Sequence, residues 1–224
     1  MSNTTVNTSQ PKMVKRFTKP IIFVHWLNAT AFFALFLTGL PLYTETFDFL
    51  YPVFGGPASA RLLHRIFAVM FIMPTFIAIL FDPKSFFHWI KQIFTWRKND
   101  VGFFLPFAKE FFGGKSEVPP QGYYNAGEKV NSLLQILMAI FIITSGIVMW
   151  FPHLFPAGLV NWAYPMHDIG VGLAVGVVVG HVYMSVFQAK GSLHGMTKGD
   201  VTIDFAKEHY PLWVEELEKE KKHA

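Results

Sequence analysis

Four of the nine histidines in this chain, His25, His64, His167 and His181, lie inside or at the edge of long apolar runs. Imidazole ligates iron, copper and zinc. An ionisable side chain inside a membrane helix is costly, which makes each of these a functional candidate. His167 and His181 belong to one stretch, Pro165 to Phe187, apolar and long enough to cross a bilayer as a helix. Fourteen residues separate them. At 100° per residue that is about 40° short of four full turns, so both rings point to nearly one side, roughly 21 Å apart along the axis. Gly170 and Ala174 lie between them on that face and leave room for something flat and bulky. Gly172, Gly176 and Gly180 run down the opposite face at i, i+4 spacing and read as a helix-packing seam. Two histidines at two depths on one face suggest two metal centres stacked across a membrane.

The elements that must position them follow from composition. The chain is 52% hydrophobic and 17% aromatic, with 25 phenylalanines and only 15% charged residues, which reads as a polytopic membrane protein. It has no cysteine, which excludes disulfides, thiolate metal sites and iron–sulfur clusters held by this chain alone. No nucleic-acid motif is present. The expected fold is all-α, a bundle of four transmembrane helices over about 21–42, 62–81, 130–151 and 166–187. A flexible basic arm (1–20) precedes the membrane domain (21–189), and a polar, partly helical tail (190–224) follows it. The arm has no short apolar core before a cleavage site, so no signal peptide is expected. Pro74 should kink the second span, which membrane helices tolerate. The long connection after it begins at Asp82 with apolar and aromatic residues at helical spacing and basic residues between, an interfacial amphipathic helix. Gly113-Gly114 and Pro119-Pro120 make its remainder loop-like.

Charge orients the bundle. The arm carries Lys12, Lys15, Arg16 and Lys19, and the 82–129 region and the tail hold nearly all the other basic residues. The loops 43–60 and 152–165 have no Lys or Arg, although Arg61 and Arg65 stand at the mouth of the second span. By the positive-inside rule both termini are cytoplasmic. His25 then lies near the inner face, His64 and His167 near the outer face, and His181 near the inner face. They sort by depth into an inner pair, His25 with His181, and an outer pair, His64 with His167.

A single membrane histidine could be a proton relay or a hydrogen-bonded core residue; two depth-matched pairs point to metal. Zinc sites usually add thiolate or carboxylate, and the inner pair has neither. Asp168 adjoins His167 but points about 100° away. Two axial imidazoles from facing helices suit b-type haem. No Cys-x-x-Cys-His exists for covalent attachment. With both axial positions filled, such iron transfers electrons and does not activate oxygen. His153 is a reserve candidate for an outer ligand. His88, His194, His209 and His223 read as surface residues. Arg61 and Arg65 could neutralise outer haem propionates or simply mark the membrane interface.

With these residues in place, the chain resembles the cytochrome b (gamma) subunit of respiratory formate dehydrogenases, a diheme four-helix membrane cytochrome b family. The likeness runs through His25-Trp26, Leu63-His64-Arg65, Tyr124-Asn-Ala-Gly-Glu-Lys129 and the His167–His181 spacing. It continues in the tail at Gly195-Met-Thr-Lys-Gly-Asp-Val-Thr202 and Ala206-Lys-Glu-His-Tyr-Pro-Leu-Trp213. The resemblance implies two b haems and a menaquinone site beside the inner one, at Asn125, Gly127 and His181. It implies an iron–sulfur beta subunit and a molybdopterin alpha subunit (Mo or W) as partners, in a larger oligomer of the bacterial cytoplasmic membrane. Asn125 also reads as a helix N-cap. The chain departs from the family pattern at Glu128, where glutamine is common, and in its long, Phe-rich 82–123 connection.

The expected role is a membrane anchor that is not itself catalytic for formate: it passes electrons from an outer iron–sulfur partner through two haems to menaquinone at the cytoplasmic side. A second reading of the same class is the cytochrome b of a nickel–iron hydrogenase or thiosulfate reductase. A third, of a different class, is a proton-coupled transporter with buried histidines.

Overall fold

The computed structural model describes residues 11–112 and 117–223. The first ten residues of the basic arm, residues 113–116 with the loop-like Gly113-Gly114 expectation, and Ala224 lie outside the described residues.

Strand β1 (Met13–Lys15) leads into α1 (Lys19–Tyr43). A 3₁₀ turn (Glu45–Leu50) and the short α2 (Tyr51–Phe54) cross to α3 (Pro57–Phe81). Then come α4 (Pro83–Phe94), α5 (Lys98–Val101) and α6 (Phe104–Phe111). The second half holds α7 (Ala126–Trp150) and α8 (Ala157–Tyr183), which ends in a π-helical turn, Met184–Gln188. The tail forms α9 (Lys190–Lys198), β2 (Asp200–Thr202), α10 (Ile203–His209) and α11 (Pro211–His223).

Four helices, α1, α3, α7 and α8 with its π turn, are long and apolar enough to cross a membrane. Only 11–17% of each apolar window is buried within the protein. The outward apolar surface therefore needs lipid against it. Tyr43, Trp162 and Tyr164 at one end are exposed, as interfacial aromatics are.

The long helices extend beyond the expected spans. Pro57 occupies the first turn of α3, where its missing N–H costs nothing. Asn125 and Glu128 form a capping box that starts α7 at Ala126. The helix carrying two histidines begins at Ala157, so most of the expected 152–165 loop is helical and Pro165 lies inside α8. Proline deprives only one carbonyl of its donor, and a long helix absorbs that loss. At Pro74 of α3 the carbonyl left without its donor is that of Met70, and the Asn28 side chain donates to the next one, the Phe71 carbonyl, at 3.1 Å.

The backbones pack as two hairpins, α1 against α3 and α7 against α8; among the described residues no comparably close approach joins one hairpin to the other. The histidine pairs reach across that seam.

At the end of the bundle that carries both termini, the arm is not a free tether. β1 pairs antiparallel with β2, Val14 opposite Val201. Gly199 holds a left-handed φ of 90° that other residues avoid, and its carbonyl accepts the N–H groups of Arg16 (2.8 Å) and Phe17 (2.9 Å). The tail packs a small core of Val201, Ala206, Tyr210, Trp213 and Val214 against Val14 and Tyr123. The expectation of a flexible arm is thus corrected for residues 11–18. Three residues of strand are too few to signal themselves in sequence.

Candidate functional site

His25 lies in the second turn of α1, His64 two turns into α3, and α8 supplies both partners. The rings of His25 and His181 have centroids 6.1 Å apart with planes at 66°. Those of His64 and His167 are 6.4 Å apart at 62°. A metal–imidazole bond of about 2.0 Å and roughly 1.1 Å from each nitrogen to its ring centre, doubled, gives about 6 Å for two imidazoles on one metal. Both pairs have that spacing. Among the described residues no group of three or more His, Cys, Asp or Glu side chains converges on a metal position. Two lone imidazoles facing each other between helix pairs fit a metal whose remaining ligands come from a flat macrocycle.

The second nitrogen of each ring in the His64–His167 pair is spoken for. His167 Nδ1 stands 3.1 Å from the Ile142 carbonyl, which can only accept, and 3.0 Å from Ser145 Oγ. Ser145 itself donates to the Phe141 carbonyl at 2.5 Å. His64 Nδ1 stands 3.0 Å from Thr38 Oγ1, whose own hydrogen goes to the Ala34 carbonyl at 2.8 Å. Both rings therefore carry their proton on Nδ1 and leave Nε2 as a bare lone pair, the arrangement of a metal-binding histidine with its second hydrogen bond. Next in each chain is a glycine against the same ring. A Cβ on Gly39 would lie 3.3 Å from His64 Cε1, and one on Gly146 would lie 3.4 Å from His167 Cε1. Thr38-Gly39 on α1 and Ser145-Gly146 on α7 are matching supports in the two hairpins. Reading histidines alone passes over them; a Ser/Thr-Gly pair recurring in the first and third spans is the signal available.

The inner pair is held differently. The Asn131 amide lies 3.4 Å from His181 Nδ1, a long contact. Trp26, beside His25, donates to the Met196 carbonyl at 2.8 Å and ties α1 to α9.

The glycine expectations reverse. Gly170 and Ala174 are buried in α8, and a Cβ on Gly170 would lie 3.1 Å from Ile142 of α7. This face is the helix-packing seam, not an open berth. Gly172, Gly176 and Gly180 meet nothing within 4 Å. The i, i+4 spacing is the same on both faces, and only the neighbouring helix decides which is filled.

Of the remaining candidates, Arg61 is exposed, one turn before His64 on the same side. The Arg65 guanidinium lies over the Trp150 ring at 5.3 Å. His153 is exposed in a 3₁₀ turn, Pro152–Leu154, and His64, not His153, faces His167.

At the terminal end, Asn125 Oδ1 accepts the Glu128 N–H at 2.9 Å, and Glu128 Oε2 accepts the Asn125 N–H at 2.9 Å. Gly127 is packed against the Phe103 ring, 3.5 Å from where its Cβ would be. The Glu128 carboxylate also meets the buried Arg16 at 3.1 Å and the Tyr210 hydroxyl, which donates at 2.8 Å. Burial pulls the Arg16 guanidinium down, but Glu128, aided by the surrounding phenols, holds it above its ordinary value. Burial pushes the neighbouring Tyr123 up to about 12. A glutamate at 128 is thereby explained: it neutralises an arginine that glutamine could only hydrogen-bond.

With this geometry, the match to known proteins is decisive. Residues 16–199 match the family model described as prokaryotic cytochrome b561. The chain belongs to that family. It is therefore a membrane cytochrome b, and the family implies b-type haem. It is 29% identical over 198 residues to the nitrate-inducible formate dehydrogenase cytochrome b556(Fdn) subunit of Escherichia coli K12, covering 87% of each chain. It is 28% identical over 209 residues to the cytochrome b556(fdo) subunit of formate dehydrogenase from the same strain, covering 92% of this chain and 94% of that one. A Haemophilus influenzae formate dehydrogenase cytochrome b556 subunit is 27% identical over 215 residues, covering 94% and 86%. A buried-histidine transporter is thereby set aside.

Proposed function

We propose that this cytochrome is the membrane anchor of a formate dehydrogenase in the bacterial cytoplasmic membrane, carrying electrons from an iron–sulfur partner to menaquinone. The observation that carries the reading is the pair of imidazole pairs, 6.1 and 6.4 Å between centroids, stacked about 21 Å apart along α8. Two b haems would be held, one by His25 and His181, the other by His64 and His167. Bound there, haem would supply one-electron transfer. Similarity to three formate dehydrogenase cytochrome subunits along nearly their whole length supports the choice of complex. The iron–sulfur beta and molybdopterin alpha subunits are the partners this implies, in a larger assembly.

In this reading residues 21–189 are the diheme domain and both termini are cytoplasmic. Arg61, exposed on the His64 side of α3, is the better placed of the two propionate candidates. The quinone would meet the terminal end of α7. Asn125 spends Oδ1 on its helix cap and keeps Nδ2 as a donor for a quinone carbonyl, near the Phe103 ring that covers Gly127, on the same helix as the Asn131 that reaches His181. A hydrogen bond there would orient the ring and stabilise its developing negative charge.

A pyridine haemochrome assay on the purified chain is expected to give two haems per polypeptide. His64→Ala should reduce this to one and leave the other haem's absorbance intact. One haem or none in the unaltered chain overturns the pairing.

A further inference from the structure

The two hairpins present matching devices to one histidine pair only. Thr38 and Ser145 are almost wholly buried, 1% and 0% exposed. Each turns its own hydroxyl hydrogen to its helix backbone, Thr38 to Ala34 and Ser145 to Phe141. Each thereby offers only oxygen lone pairs to the facing imidazole. An acceptor on Nδ1–H draws that proton away and increases electron donation from Nε2. Greater donation favours the ferric state of a ligated iron. Among the described residues the inner pair has one long contact instead, from Asn131 at 3.4 Å.

We propose that Thr38 and Ser145 are positioning residues that fix the ligand tautomers of His64 and His167 and selectively hold down the reduction potential of the haem between them. This rests on the diheme reading above. The two residues are not equivalent. The Leu35 carbonyl also approaches the His64 ring, but the close acceptor at its Nδ1 is Thr38 Oγ1 at 3.0 Å, whereas His167 keeps the Ile142 carbonyl at 3.1 Å even without Ser145. Removing the Thr38 hydroxyl should therefore have the larger effect.

The test is a redox titration of the purified protein followed in the visible α-band, with EPR of the ferric haems as a second readout. The unaltered protein should show two haems and two one-electron steps. Thr38→Val should raise the potential of one step by about tenfold in its reduction equilibrium, or 59 mV for one electron, and leave the other in place. The same haem's low-spin EPR signal should move as its imidazole reorients. Ser145→Ala should shift that same step in the same direction by less, and Thr38→Ser, which keeps the hydroxyl, should restore it. Both steps unmoved, or both moved together, overturns the proposal. Should Thr38→Val lose one haem altogether, its recovery in Thr38→Ser supports the hydroxyl's role, and continued loss in Thr38→Ser overturns it. Fewer than two haems before any substitution overturns the diheme reading instead.

Discussion

Asn125 has two ends, and the structure commits one of them. Its oxygen caps α7 by accepting the Glu128 N–H, so truncation removes a helix cap as well as a candidate quinone contact. Serine caps about as well as asparagine, whereas alanine costs about 1 kcal/mol. Asn125→Ser should therefore keep thermal stability near that of the unaltered protein but slow haem reoxidation by a menaquinone analogue about tenfold, as expected for one lost donor at a developing charge. Asn125→Ala should show the same kinetic loss and in addition melt earlier. Unaltered reoxidation in Asn125→Ser would confine this residue to its cap. At this scale the sequence was most informative where charge is expensive. Four histidines in apolar runs identify themselves by their cost, and charge counting sorted them into the two pairs that face each other in space. Thr38 and Ser145 were not legible, because buried hydroxyls often bond their own helix backbone, and only the neighbouring helix shows what the oxygen then accepts. Gly170 and Gly172 illustrate the same limit, since identical residue types face α7 in one case and open space in the other.

Helix α4 and the short helices after it are tied to α7 by a buried ion pair. Lys129 Nζ meets Asp100 at 2.9 Å with both side chains under 5% exposed, and it donates to the Thr95 carbonyl at 2.9 Å. Asp100 also accepts the Arg97 N–H at 2.7 Å. Trp89 reaches Ser132 of α7. Breaking a buried pair from one side strands the other charge, at about 3–5 kcal/mol. Lys129→Met should free this connection, seen as faster amide exchange across 95–107 with the apolar spans unchanged. Adding Asp100→Asn should recover much of the protection, because the stranded charge is gone and the cap to Arg97 is retained; no recovery would mean that the lysine acts by packing alone. The apolar spans were legible because bilayer thickness dictates their length. Their ends were not, because Pro57, Pro156 and Asn125 start helices that continue past the hydrocarbon region. The amphipathic run from Asp82 was legible too, and α4 forms there. The sheet between β1 and β2 was invisible, since three-residue strands acquire their register only from a partner some 187 positions away.

For the whole molecule, that sheet has a consequence for insertion. Because Met13–Lys15 pairs with Asp200–Thr202, both ends of the chain lie at one face, and the four spans can be inserted in only two ways. All Lys and Arg residues except Arg61 and Arg65 belong to that face's arm, connection and tail. Basic residues flanking spans resist translocation, and acidic ones such as Glu45 and Asp48 contribute little. The terminal face should therefore be cytoplasmic. In the proposed reading this would put His25, His181 and Asn125 beside cytoplasmic water, a proton source for a reduced quinone, and His64 with His167 toward a partner on the opposite side. The chain has no native cysteine, so single substitutions report without background. Ala58 and Lys98 are exposed on opposite faces. In intact cells an impermeant maleimide should label Ala58→Cys and spare Lys98→Cys, and permeabilisation should make both reactive. Labelling of Lys98→Cys alone in intact cells would invert the bundle. The quinone contact at Asn125 would then face the outside, and menaquinone reduction would take its protons from there. The direction of charge movement across the membrane therefore depends on the same two labels.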